Sequence, residues 1–124
     1  MMHRIGAVMY LIWGALHVNA ALKVFQLGEN LDPGILQGRL FQSAWNLFFF
    51  AVVAIVVAAL FNWRNSRLGY WINLITISVT DIGFIWFILV PGYLSLWPGV
   101  LGPVFWVLGF IFATFALRKE ESTT

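Results

Sequence analysis

The chain has 124 residues, of which 61% are hydrophobic and 10% charged. Soluble domains carry about a quarter charged residues, and a short chain has a large surface to cover with polar groups, so the composition excludes an ordinary water-soluble domain and points to lipid as the solvent. The net charge of +2 is small and dispersed, with no basic stripe of the kind nucleic acid requires, and the lack of cysteine excludes disulfides, thiolate metal sites and thiol nucleophiles.

A membrane-spanning helix takes about 20 mostly apolar residues, and four stretches qualify in turn. The first, Ile5 to Phe25, has no charge before Lys23. Its start, Met1-Met2-His3-Arg4 and an apolar run leading to Val18-Asn19-Ala20, has the outline of a signal peptide with a passable cleavage site. It is read here as a first anchor. The second covers residues 36–61 and has no charge after Arg39. Asp32-Pro33 ahead of it is a helix-start signal, the carboxylate capping free amides and the proline fitting the first turn.

The third stretch runs from Leu68 to Val90 with Asp81 as its only charge, and Pro91-Gly92 closes it. A connector without charges follows, holding Tyr93 and Trp97, whose amphipathic rings suit a membrane interface. Pro98-Gly99 opens the fourth stretch, Gly99 to Leu117, with Pro103 placed to bend its first turn. The tail Arg118-Lys119-Glu120-Glu121 and the Ser-Thr-Thr after it read as a solvated end. The expected architecture is an all-α integral membrane protein, a single antiparallel bundle of four transmembrane helices. Arg4, Arg64, Arg67, Arg118 and Lys119 then lie on one side, with Lys23 and Arg39 on the other. Five basic residues against two predict both termini inside, at an inner or plasma membrane.

Small residues let helices approach in lipid. They form stripes at Gly14 and Ala21 around His17, at Ala51, Ala54 and Ala58, and at Gly109 and Ala113. The first stripe turns His17 toward its neighbours. Asn19 and Lys23 fall on another face, about 200° round at 100° per residue.

Ionisable and amide side chains at membrane depth are costly and mark candidate sites. Arg39, Gln42, Ser43 and Asn46 follow the i, i+3, i+4, i+7 pattern and form a ridge running inward from the outer surface. At a rise of about 1.5 Å per residue, Asn46 lies about 8 Å deep, His17 about 10 Å and Asp81 about 14 Å. The expectation is a polar funnel in the outer half of the bundle above an apolar inner half. The candidate catalytic pair is Asp81 and His17, a carboxyl and an imidazole suited to acid–base chemistry, with Arg39, Gln42 and Asn46 as candidate substrate-binding groups. Each has a simpler reading as well: interhelical hydrogen bonding for Asp81, His17, Gln42 and Asn46, and snorkelling to headgroups for Arg39.

No metal or cofactor is expected. The two histidines, His3 and His17, fall toward opposite sides of the membrane, and no metal-ligand pair, phosphate loop or dinucleotide fingerprint occurs. Three functions fit. The first is binding, and conversion by proton transfer, of a lipophilic small molecule, with isomerisation or epoxide chemistry as examples. The second is an accessory or scaffold subunit, or a homo-oligomer, in which seven tryptophans and twelve phenylalanines supply apolar contact area. The third is a proton-coupled transporter acting as a dimer. Small multidrug transporters share its size and four spans, but their essential glutamate sits mid-way along the first helix, where this chain has Trp13-Gly14-Ala15-Leu16-His17.

Overall fold

Each apolar run is carried mainly by one long helix, because the residues that disturb the backbone ladder lie near its ends. The computed structural model describes residues 1–124 and contains no strand. The helices are α1 (Met2–Glu29), α2 (Ile35–Leu60), α3 (Arg67–Phe84), a single turn α4 (Leu96–Gly99) and α5 (Leu101–Thr123). A 3-10 turn over Asn62–Arg64 extends α2, and a π-turn over Ile85–Leu89 extends α3. With those extensions, four helices are long and apolar enough to cross a membrane.

The helix boundaries show local chemistry at work. Asp32-Pro33 does not start α2. That helix begins at Ile35 behind Gly34 with no side-chain cap, so the carboxylate at Asp32 lies too early to reach its amides. Ser66 does cap α3, accepting from the Gly69 amide at 3.4 Å. Asn65 closes the preceding turn in the left-handed conformation (φ 56°), which asparagine tolerates. Pro103 sits within the first turn of α5, where a missing amide hydrogen costs nothing, and the helix runs on through it. The C-terminal tail is helical to Thr123 and tied back to the α2–α3 turn: Arg67 pairs with Glu121, and Asn65 donates to Glu120 and to the Ala116 carbonyl.

Consecutive long helices run antiparallel. Gly14 of α1 packs against Ala51 and Ile55 of α2, and Gly28 against Leu40 and Phe41. Gly69 of α3 meets Phe61 and Asn62, and Gly109 of α5 meets Tyr10. The long helices form a ring in the order α1, α2, α3, α5, with α1 and α3 facing each other across the diagonal. Both termini and the α2–α3 turn share one end, where the Arg4 guanidinium lies over Trp63.

The alanine and glycine stripes line the interior. Ala51, Ala54 and Ala58 are fully buried, and with Tyr10, Trp13, Ile77 and Ala113 they form the core. The large apolar side chains point outward instead: Trp45, Phe49, Trp71, Val79 and Phe87 are each more than half exposed. Interior polar groups are not confined to one half of the bundle. Toward the end that holds the termini, the buried Asn73 amide donates to the Asn62 side chain at 2.8 Å and to the Ala54 carbonyl at 3.1 Å. Tyr70 bonds Thr114 at 3.0 Å, and Trp106 donates to Ser78 at 2.9 Å. The expected apolar inner half is therefore corrected. Asparagine and tyrosine supply hydrogen bonds between helices there, the usual way of satisfying buried polar groups in such bundles.

Candidate site: a buried carboxyl–imidazole pair

The heptad spacing of Tyr10 and His17 places both on the inner face of α1, with Trp13 between them. On α3, Asn73, Ile77 and Asp81 recur every fourth residue and are all fully buried. The two faces meet across the bundle diagonal. Asp81 has no exposed surface, and one oxygen, Oδ2, accepts from the Trp13 indole Nε1 at 2.8 Å. The other, Oδ1, stands 3.2 Å from His17 Nε2. That second contact is an ion-pair approach, not a well-aligned hydrogen bond, and Oδ1 has no further partner.

His17 is held on three sides. Its Nδ1 lies 2.8 Å from the Trp13 carbonyl, which can only accept, so Nδ1 carries a hydrogen. The Trp13 ring stacks on the imidazole, with centroids 3.8 Å apart and planes at 20°. On the third side is Gly102 of α5, where a Cβ would fall 2.8 Å from His17 Cε1. Glycine there is what allows α5 to close over the ring.

The geometry brings the two groups into direct contact. With Nδ1–H committed to the carbonyl, Nε2 and Oδ1 face each other. With no proton between them, a lone pair opposes a carboxylate. One proton makes the contact attractive, either as imidazolium and carboxylate or as neutral imidazole and carboxylic acid. His17 is 8% exposed, so the pair touches the surroundings through the imidazole and not through the carboxyl.

Of the five candidate site residues, the structure brings two together, His17 and Asp81. Arg39, Gln42 and Asn46 lie on the exposed side of α2, turned away from the buried interior that holds the pair. The physical reason is helical phase. The ridge centres more than 100° from the buried alanine stripe of the same helix. Asn19 and Lys23 are exposed, as their phase on α1 requires.

Two residues of the site escaped sequence reading. Trp13 is one turn before His17 on the same face, and its indole N–H makes it a natural carboxyl partner. Gly102 carries no chemical signal at all, and only its contact with His17 identifies it. The π-turn over Ile85–Leu89 begins one turn after Asp81, the kind of helix irregularity often found next to functional groups. No three His, Asp or Glu side chains gather to hold a metal. Comparison with family models, curated proteins and solved structures gives no match.

Proposed function

We propose that the chain is a four-span integral membrane protein with both termini cytoplasmic, in which Asp81 and His17 bind a lipophilic small molecule and transfer protons to or from it. The membrane reading rests on the distribution of side chains. Small and polar groups line much of the interior around Tyr10, Trp13 and Ile77, while most of the large apolar side chains cover the outside, an arrangement that lipid favours. The orientation rests on Arg4, Arg64, Arg67, Arg118 and Lys119 gathering at the end that carries the termini.

Since the chain lacks cysteine, the orientation is tested with single thiols. Asp32→Cys should react with an impermeant maleimide in intact cells, and Asn65→Cys only after permeabilisation. The opposite pattern would reverse the topology.

The observation that carries the functional reading is the buried contact of Asp81 Oδ1 with His17 Nε2 at 3.2 Å. A carboxyl and an imidazole in contact can relay a proton to an apolar molecule that water does not reach, once Nε2 turns from Oδ1 to meet that molecule. The reacting group would approach His17, and Asp81 would set the charge on its ring. Organic extracts of the purified protein provide the test. Wild-type protein should carry a non-phospholipid molecule at least about tenfold enriched over the Asp81→Asn variant, a difference equivalent to roughly 1.4 kcal/mol in binding. Equal recovery from both proteins would remove the pair from the binding site.

A further inference from the structure

The exposed ridge on α2 needs an occupant of its own. Arg39, Gln42, Ser43 and Asn46 share one face, and all four are exposed. Arg39 and Arg64 stand 25 residues apart on the helix and its 3-10 extension, about 37 Å of rise, against roughly 30 Å of hydrocarbon. That spacing puts both guanidiniums just beyond the hydrocarbon and Asn46, seven residues in from Arg39, several ångströms inside it. A carboxamide facing acyl chains loses its hydrogen bonds with no return, and in membranes such groups are matched by another helix.

We propose that this ridge is the interface of a homodimer in which the α2 helices of two copies run side by side about a two-fold axis. The proposal rests on the membrane-spanning reading above but not on the chemistry assigned to Asp81 and His17.

The ridge favours a second copy because it is self-complementary. Around a two-fold axis each residue meets its own counterpart or a near neighbour. Amides and hydroxyls carry donors and acceptors together, so Asn46 and Ser43 can pair with the same residues of another chain. Gln42 is already oriented for this. Its Oε1 accepts from Arg39 at 3.0 Å, which leaves its amide hydrogens to donate outward. Gly38, one turn before Gln42, has nothing within 4 Å of where a Cβ would stand, leaving the start of the ridge open to a second backbone. The like charges of the two Arg39 residues fall at the boundary, where water and headgroups solvate them.

The experiment is disulfide trapping in native membranes. Phe50→Cys lies on the ridge side of α2, and Val79→Cys on the exposed side of α3 serves as control. Under mild oxidation the Phe50→Cys protein is expected to form covalent dimers and the Val79→Cys protein none. Adding Gln42→Leu and Asn46→Leu should lower the dimer yield at least tenfold, and these leucines keep the exposed face compatible with lipid. No dimer at Phe50→Cys, or undiminished dimer in the leucine variant, overturns the proposal. Alkaline carbonate extraction of the same samples separates the two levels. Protein released by carbonate refutes the membrane reading, whereas protein retained but not cross-linked refutes only the dimer, leaving the ridge to lipid headgroups or another protein.

Discussion

Replacing Asp81 with alanine is expected to lower the unfolding free energy by about 3–5 kcal/mol, whereas asparagine at the same position should cost less than about 1 kcal/mol. Alanine would leave the Trp13 indole N–H and His17 Nε2 buried without partners, and would empty the space between them. Asparagine can restore both contacts. Its amide oxygen can accept from Trp13 Nε1, which now donates to Oδ2 at 2.8 Å. Its amide N–H can donate to His17 Nε2, the nitrogen left free because Nδ1 donates to the Trp13 carbonyl. The asparagine variant would keep the fold and lose the exchangeable proton, which makes it the informative variant for ligand recovery. Thermal unfolding in detergent checks the pair of predictions. An alanine variant as stable as wild type would show that the carboxyl is not holding α1 to α3.

Gly109→Val is expected to destabilise by about 3 kcal/mol, the upper part of the range for overpacked cores. A Cβ there would fall 2.4 and 2.5 Å from two atoms of the Tyr10 ring. Tyr10 is fully buried among Trp13, Ala54, Ala58 and Ala113 and has nowhere to move. Helices α1 and α5 would have to separate. Gly83→Ala is the matched control. Nothing lies within 4 Å of its Cβ position, so alanine should be neutral or stabilise α3 by up to about 1 kcal/mol through reduced backbone freedom. Equal unfolding midpoints for the two variants would mean that α1 and α5 do not approach as closely as described.

The helices themselves were legible because span length and charge-free runs are properties of the sequence alone. The expected stretches 36–61 and 68–90 match α2 and the extended α3 to within a residue or two at each end. The first and last helices run longer than expected, since helical hydrogen bonding does not stop where hydrophobicity does. Pairing of His17 with Asp81 was also within reach, through the stripe on α1 and the comparable depths of the two residues.

What failed was the assumption that polar residues on different helices converge. The correction was available within α2. Ala51, Ala54 and Ala58 give the direction of the interior, and Arg39, Gln42, Ser43 and Asn46 lie well away from it at 100° per residue. Trp13 gives only a weak signal, because an aromatic residue in an apolar run reads as packing, although its indole N–H must find an acceptor when buried. Gly102 could not have been found by any pattern, since its contribution is the volume it does not occupy beside His17.

One proton held between His17 and Asp81, as the proposed function requires, would limit what the pair can do. In either arrangement, imidazolium with carboxylate or imidazole with carboxylic acid, the pair is neutral as a whole. His17 and Asp81 are also the only imidazole and carboxyl among the buried side chains, since the remaining buried polar side chains are amides and a phenol. A second proton arriving alone would leave a net cation in the interior, and a proton departing alone would leave a net anion. Each would cost several kcal/mol with no counter-charge to offset it. The economical process is therefore electroneutral exchange, with one proton entering at one atom as another leaves from the same molecule. For the lipophilic partner proposed above, that exchange would correspond to a relocated double bond or a tautomer, and not to an ion released into the membrane.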